Sequence, residues 1–508
     1  MILRPYQQDF VSGVAHGFNN GFMRQLGVLP TGGGKTIVFA KIAQRFWEKR
    51  GERTLVLAHR EELISQAADK IQTATGLVPS IEKASQRGEM DSPVVVASIQ
   101  TMQGDRLQRW ASDHFGLVVA DEAHHVLADQ WRRTLDHFSP ARVLGVTATP
   151  DRSDKKRLAD FFDNLAYECN ILDLIRQKYL SPIRISSVPI QIDMSDVRSV
   201  AGDFDANALD AAIRPYLGNI ARHIAANCQD RKRIVAFLPL IETSQRFVEC
   251  CLEAGIAAVH VDGASKDRRE ILSDFHSGKF QLLSNAMLLT EGWDEPSVDC
   301  ILVLRPTRSR SLYSQMCGRG TRLYPGKDHL LLLDFLWLHE RHSLVKPASL
   351  VAKDKDEEER ITKALKKDGD LSEAEESAAA DREAALIREL AEKAKRESRF
   401  VDLEHIGALL KDSKIQEYSP VFGWEKMPAS DKQKALLAKF GVQANTKGEA
   451  SLAVSRLFDR SKQGLATVKQ LIWLHRMKHP SPETATRAEA KAFLDAKWAK
   501  KVPHGAER

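Results

Sequence analysis

Three groups of chemistry-bearing residues lie far apart in this 508-residue chain. The first is Leu29-Pro30-Thr31-Gly32-Gly33-Gly34-Lys35-Thr36. Glycines let backbone N–H groups surround phosphate oxygens, because no Cβ stands in the way. Lys35 has the reach to bridge terminal phosphates, and the Thr36 hydroxyl can ligate Mg²⁺. The usual pattern opens with Gly where this chain has Leu29, so a plain glycine-rich connection fits the stretch as well. The second group is Asp121-Glu122-Ala123-His124, which begins 86 residues after Lys35. Asp121 suits a Mg²⁺ contact and Glu122 suits a general base acting on water. Acidic pairs at strand ends also serve as helix caps. The third group is Gln315-Met316-Cys317-Gly318-Arg319-Gly320-Thr321-Arg322. The three-residue spacing of Arg319 and Arg322 predicts one helix face, from which two guanidiniums can meet triphosphate charge across a cleft. A surface salt-bridge pair is the plain alternative. Upstream of the loop, Gln7 offers one donor and one acceptor to an adenine edge.

The elements that would position these residues follow from periodicity. Leu26 to Leu29 reads as a buried strand, and Ile37 to Ala43 has helical spacing, so the glycine loop sits between strand and helix. Thr54–Ala58, Val94–Ser98, Leu117–Ala120 and Val143–Thr147 are further short β-rich runs separated by helical stretches. This alternation predicts a parallel sheet with helices on both faces and ligands at the carboxyl ends of its strands. Thr147-Ala148-Thr149 closes the fourth run. Residues 176–215 read as a connector containing strand pieces from Pro182 to Ile192. The alternation then restarts at Ile234–Leu238, Ala257–Val261, Leu282–Ser284, Ile301–Leu304 and Leu330–Asp334. This second α/β set has no phosphate loop, but carries Thr290-Glu291-Gly292-Trp293-Asp294 and the arginine pair.

Composition narrows the class. Hydrophobic residues at 43% and charged residues at 28% are ordinary for a globular protein. No apolar run reaches membrane-spanning length and no secretory leader is evident, so no membrane partner and a cytoplasmic location are expected. The six cysteines include no C-x-x-C pair, which argues against zinc and disulfides and fits a reducing compartment.

The tail differs in character. Residues 351–400 hold 27 charged residues of mixed sign, consistent with a solvated arm, and Asp381 to Arg399 reads as an exposed helix. Residues 429–508 hold 16 Lys or Arg against 7 Asp or Glu, a net of +9 in a chain whose total is +6. A polyanion or an acidic protein surface is the partner this implies. Ala429-Ser430-Asp431-Lys432-Gln433 is echoed by Ala466-Thr467-Val468-Lys469-Gln470, and Thr446–Ala450 by Thr486–Ala490. Each unit reads as two capped helices, with Ser430, Thr446, Thr467 and Thr486 as caps. Leu436, Leu437 and Phe440 match Trp473, Leu474 and Met477 as a core stripe.

In order, the loop at Lys35, Asp121-Glu122-Ala123-His124, Thr147-Ala148-Thr149, the Gly292 segment and Gln315-x-x-Gly318-Arg319-x-x-Arg322 resemble the motif series of a superfamily 2 helicase of the DEAH type. Leu3-Arg4-Pro5-Tyr6-Gln7, Thr290–Pro296, Leu304–Thr307 and Tyr324-Pro325-Gly326-Lys327 are similar to the branch of RadD, XPB and the type III restriction motor, RadD-like bacterial or phage proteins most of all. The resemblance covers about residues 1–340. It implies two tandem RecA-like parallel-sheet domains, residues 1–175 and 216–342. A charged arm over 343–428 and a basic helical domain over 429–508 complete an α-helical C-terminal region. It implies that Arg4, Gln7, Thr31, Gly32, Gly33, Gly34, Lys35, Thr36, Gly292 and Asp294 bind ATP, with Thr36 and Asp121 on Mg²⁺. Lys35, Asp121, Glu122, Gln315, Arg319 and Arg322 would carry catalysis, and His124, Thr147 and Thr149 would couple the lobes. His59, Arg60, Ser98, Gln100 and Thr101 would touch nucleic acid. The expected activity is ATP-driven movement along single-stranded, duplex or forked DNA in repair, recombination or restriction. The alternatives are an ATP-switched scaffold that recruits a protein partner through residues 351–508, and an RNA helicase.

Overall fold

Parallel strands covered on both faces read as unbroken apolar runs. In this chain those runs build two sheets. The computed structural model describes residues 1–59, 61–148, 158–194, 197–200, 203–286, 288–290, 293–338, 345–352, 355–365, 368–382, 403–412, 415, 418–420 and 422–499. The first sheet comprises β1 (Arg24–Val28), β2 (Thr54–Ala58), β3 (Ser80–Glu82), β4 (Val94–Ser98), β5 (Leu117–Asp121), β6 (Arg142–Thr147) and β7 (Asn164–Glu168). Its order is β3-β4-β2-β5-β6-β1-β7 and every pairing is parallel. Three central strands, β2, β4 and β5, are buried along nearly their whole length. Helices α1 (Pro5–Asn19), α2 (Lys35–Arg50) and α3 (Glu61–Thr75) belong to this layer. The order sets β5, β6 and β1 side by side, with Val28 level with Thr147 and Asp121 level with Val146. Their carboxyl ends therefore gather the glycine loop, Asp121 and Thr147 at one edge of the sheet.

The second sheet comprises β8 (Ile183–Asp193), β11 (Ile234–Phe237), β12 (Ala258–Val261), β13 (Leu282–Asn285), β14 (Cys300–Val303), β15 (Leu330–Leu338) and β16 (Asp368–Asp370), and a hairpin of β9 (Ser199–Val200) and β10 (Asp203–Phe204) stands apart. Its order is β12-β13-β11-β14-β15-β8-β16, parallel except for the β16 edge. Here the structure corrects the connector expected over residues 176–215. Ile183–Asp193 is a full strand of the second sheet, paired with β15 along nine residues. Val188 and Ile192 enter the same core as Leu209, Ile213, Leu217 and Ile220, so burial of that face holds the segment in the sheet. Part of the expected charged arm also joins this sheet, as β16.

Chain contacts divide the molecule into Met1–Glu375 and Glu376–Arg508. Within the second unit, Ser430, Thr446 and Thr467 cap the helices Asp431–Phe440, Lys447–Lys462 and Val468–Arg476, each in a reciprocal capping box with Gln433, Glu449 or Gln470. Thr486 makes the same exchange with Glu489 at the head of the helix Arg487–Ala499. Single β-bridges, Pro428 to Thr446 and Leu465 to Thr486, close each helix pair in the same way. Leu437 and Leu474 are fully buried, as the stripe requires. Trp473 departs from it. Its ring lies at the surface with the Arg476 guanidinium 4.8 Å from the centroid. One helical step from a buried leucine is about 100° of rotation, enough to turn Trp473 outward. The helix expected from Asp381 to Arg399 falls mostly outside the described residues, as do Arg60, Thr149 and Gly292. Among the described residues no helix is long and apolar enough to cross a membrane.

Candidate nucleotide site between two sheets

The loop after β1 is shaped by contacts that leave no room for larger side chains. Leu29, at the position of the usual first glycine, is fully buried, and its N–H donates to the Thr147 carbonyl at 3.0 Å. That bond ties the loop to the end of β6. Gly34 has φ +84° and serves as N-cap of α2 without offering a side chain to the first N–H groups. A Cβ on Gly34 would stand 2.6 Å from Gln7 Nε2, and one on Gly33 2.8 Å from Leu29 Cγ. Lys35 and Thr36 open α2, at the positive end of the helix dipole. Gln7 is folded onto this loop: its Nε2 donates to the Gly33 carbonyl at 3.1 Å while its Oε1 accepts from the Arg4 N–H at 3.0 Å. Tyr6 donates its hydroxyl to the same Gly33 carbonyl at 2.9 Å. Arg4 lies over the Tyr179 ring, 5.1 Å from its centroid. The cradle and the N-terminus of α2 fit a triphosphate. Thr36 and Asp121 fit a phosphate-bound Mg²⁺, whose remaining ligands are ordinarily phosphate oxygens and water. Among the described residues no cluster of three or more His, Cys, Asp or Glu side chains forms a separate metal cage.

Asp121 ends β5 and accepts from the Glu122 N–H at 3.1 Å. Glu122 adopts a left-handed backbone, φ +53°. This turns its side chain back to the loop, where Oε1 pairs with Lys35 Nζ at 3.1 Å and Oε2 lies 3.5 Å from His124 Nδ1. Burial works against the carboxylate. The Lys35 ammonium, the His124 and His125 imidazoles and the Lys35 hydrogen bond outweigh it and hold the Glu122 pKa below the usual carboxylate value. From His124 the imidazoles continue: His125 lies 4.1 Å away, and His59 stacks on His125 at 4.9 Å and 25°.

The second sheet supplies the arginines. The helix Arg310–Gly318 stops before either of them: Arg319 is its C-cap and Arg322 lies beyond. They do not share a helix face, because the helix ends at Gly318 and the next N–H groups, of Arg319, Gly320 and Thr321, donate to carbonyls three residues back in a tighter turn. The turn still brings both groups to the Trp293–Asp294 segment. Arg319 donates to the Trp293 carbonyl, and Arg322 pairs with Asp294. Burial lowers the Arg322 guanidinium from its ordinary value, against the opposing pull of Asp294. Gln315, in the same helix, is buried. A Cβ on Gly318 would lie 2.5 Å from Thr31 Cβ, and one on Gly32 3.8 Å from Arg322 Cγ. The arginine segment thus packs directly on the phosphate loop.

The sequence model of the type III restriction enzyme res subunit matches residues 1–152, and that of the helicase conserved C-terminal domain matches residues 217–324. The chain belongs to the superfamily 2 helicases. Its branch is that of the restriction motors. This helicase-family chain is 33% identical over 372 residues to IRC3 of Saccharomyces cerevisiae, a protein that carries an ATP-dependent helicase name, over 66% of this chain and 51% of that one. It is 26% identical to the EcoAI type I restriction endonuclease subunit of Escherichia coli, over 65% of this chain and 46% of that one. It therefore spans about half the length of these relatives. Its fold matches an HsdR fragment of a type I restriction enzyme from Vibrio vulnificus with a TM-score of 0.53 at 23% identity, over 66% of this chain and 64% of that one. It also matches the DNA-bound restriction-modification enzyme LlaBIII with a TM-score of 0.54 at 15% identity, over 99% of this chain and 43% of that one.

In this helicase-family chain His59, Ser98, Gln100 and Thr101, four of the residues expected at nucleic acid, gather at the ends of β2 and β4. Gln100 Nε2 donates to the His59 carbonyl at 2.7 Å, and Ser98 Oγ donates to Gln100 Oε1 at 2.5 Å. Thr101 closes the turn by donating its N–H to the Ser98 carbonyl at 3.0 Å. Several site neighbours escaped sequence reasoning. Tyr6 sits next to Gln7 and could have been suspected from that alone. Tyr179, Ser181 and Lys70 carry no local signal. Lys70 on α3 reaches Asp294 at 3.6 Å. Ser181 joins the crossing between the sheets to the arginine segment: its N–H donates to the Thr321 carbonyl at 2.7 Å and its hydroxyl to the Arg322 carbonyl at 3.1 Å.

Proposed function

We propose that this chain is an ATP-driven DNA translocase or helicase whose two sheets close and open around the nucleotide. The observation that carries the reading is the contact of the arginine segment with the phosphate loop, which leads into Lys35, the partner of Glu122. Lys35 and the loop N–H groups would hold the phosphates, and Gln7 with Arg4 the adenine. Glu122 would take a proton from the attacking water. Arg319 and Arg322 would neutralise charge that develops on the transferred phosphoryl group. Bound Mg²⁺, held through Thr36 and Asp121, would supply charge neutralisation at the phosphates. Two lobes that meet at the nucleotide change their spacing when it binds and leaves, which is how hydrolysis becomes movement. Support for DNA comes from the restriction-subunit and helicase relatives.

The test is ATP turnover with single-stranded, duplex and forked DNA, and with RNA, in parallel. Stimulation by one or more DNA forms is expected, with affinity falling steeply as salt rises. Stimulation by RNA alone would move the chain to RNA remodelling, and equal turnover with and without any nucleic acid would remove the motor reading. The +9 balance of residues 429–508 favours a second role, a polyanion grip, in the C-terminal repeats. Removing them should lower DNA affinity and flatten its salt dependence. Loss of a protein partner with unchanged DNA affinity would make them a recruiting element instead.

A further inference from the structure

We propose that Lys327 is a positioning residue for nucleotide hydrolysis: it clasps the arginine segment to the segment that carries Asp294 and so fixes where Arg322 points. This rests on the reading of Arg322 as a phosphate-facing group.

The geometry begins with a tight turn. Tyr324-Pro325-Gly326-Lys327 closes with the Lys327 N–H on the Tyr324 carbonyl at 3.1 Å, and Gly326 has φ +77°. Proline at the second position and a positive-φ glycine at the third match a type II turn. The turn sends Lys327 back beneath the chain that precedes it. Its ammonium then donates to three carbonyls: Gly320 at 2.5 Å, Arg322 at 2.8 Å and Pro296 at 3.4 Å. An ammonium has three protons, and here all three are directed at backbone. Two of the carbonyls belong to the loop that carries the arginines, and the third lies two residues after Asp294, the partner of Arg322.

A side chain that only lay on the surface would not need this arrangement. The loop leaves a helix at Gly318, and helix ends present carbonyls that lack helical partners. Lys327 gathers two carbonyls of the following loop at one cation, which also suits the negative end of the helix. The groups facing the ammonium are Asp299, Glu295 and Arg322. Burial pulls its pKa down to about 8; Asp299 and Glu295 raise it, and Arg322 lowers it further. Loss of that proton leaves two N–H donors for three carbonyls, so the clasp weakens as pH rises through that value.

The experiment compares Lys327→Gln, Lys327→Arg and Arg322→Ala with the parent full-length chain, by nucleic-acid-stimulated ATP turnover, fluorescent-nucleotide binding, melting temperature and the pH profile of kcat. Misplacing a catalytic group by about 1 Å costs up to about a hundredfold. Lys327→Gln should therefore lose about 10- to 100-fold in kcat, with nucleotide affinity changed far less. Lys327→Arg should recover most of the turnover and lack the fall in kcat above about pH 8, since guanidinium does not titrate there. Parent-like kcat in Lys327→Gln beside an inactive Arg322→Ala overturns the proposal. An active Arg322→Ala instead overturns the arginine reading, and the Lys327 role with it. Should Lys327→Gln fail to fold, the pH profile of Lys327→Arg decides: an unchanged alkaline fall refutes the clasp.

Discussion

Replacing Glu122 by Gln preserves shape and removes one charge, and two separable effects follow. The amide cannot take a proton from water, so turnover should fall by about 10²- to 10⁴-fold. At 1.36 kcal/mol per tenfold, this is about 3–5 kcal/mol of barrier. The second effect concerns Lys35, which loses a partner 3.1 Å away; the two side chains are only 14% and 12% exposed. Removing one member of a pair that dry costs up to about 3–5 kcal/mol, because the other charge stays desolvated. Phosphate oxygens would satisfy that charge again. The variant should therefore melt lower than the parent without nucleotide and gain more from ATP·Mg²⁺. The pH signature has a defined sign. Because the folded pKa of Glu122 lies below the ordinary carboxylate value, its stabilisation is present above that ordinary value and lost as pH falls through the folded one. The variant should lack this acid loss. Phosphate release and melting curves with and without ATP·Mg²⁺ are the assays. Turnover within tenfold of the parent, or an identical gain on adding nucleotide, would refute the reasoning.

Three further outcomes are expected. Gly34→Ala places a Cβ 2.6 Å from Gln7 Nε2 on a residue at φ +84°, where a left-handed backbone alone costs about 1–2 kcal/mol; nucleotide titration should show affinity down by tenfold or more, and an unchanged value would remove the cradle argument. Asp334 in β15 is pushed up to about 6 by burial, against the pull of Lys346, so the folded state binds the extra proton and stability falls as pH rises from about 4 to 6, by about 3 kcal/mol. Asp334→Asn should flatten that slope in unfolding curves taken across the window; a slope equal to the parent's counts against it. Arg460, buried in the second unit, donates to the Ala466 carbonyl and the Glu483 carbonyl, each at 2.6 Å. Arg460→Met strands both carbonyls at about 2–4 kcal/mol, and hydrogen exchange across residues 429–499 should accelerate, whereas full protection would show the staple to be dispensable.

The parts of this molecule legible in the sequence are those encoded over a few consecutive residues. The glycine loop and the capping boxes at Ser430 and Thr467 each occupy fewer than nine positions, and local chemistry alone produces them. The alternation of apolar runs announced both sheets for the same reason. What escaped was decided by distant partners. Ile183–Asp193 reads as strand pieces of a connector, and its place in the second sheet is decided by its register with Leu330–Leu338 and by the core that Val188 and Ile192 enter. Asp368-Gly369-Asp370 has among the poorest strand compositions, and the open edge of β8 recruits it. The shared helix face assigned to Arg319 and Arg322 assumed that the helix continued past Gly318. The approach of Gly318 to Thr31 and of Arg322 to Gly32 comes instead from the turn and from the contacts of Ser181 and Lys327, which no spacing rule contains.

Ser181 has a mechanical consequence. It lies where the chain passes from the first sheet to the second, two residues before β8, and it is bonded to the arginine segment. If the two sheets open and close as proposed, by rotation about this crossing, pivot and trigger would occupy nearly the same point. The far strand β12 stands five strand spacings from β8, or roughly 24 Å at about 4.8 Å per strand. Each 10° of rotation about that pivot would carry β12 roughly 4 Å, close to the rise of one nucleotide at about 3.4 Å. The arginines, beside the pivot, would move by a small fraction of that distance. On the proposed reading the lobe would work as a lever with a very short input arm: an adjustment at the phosphates small enough to preserve hydrogen bonds would become, at the outer rim, a displacement on the scale of one nucleotide.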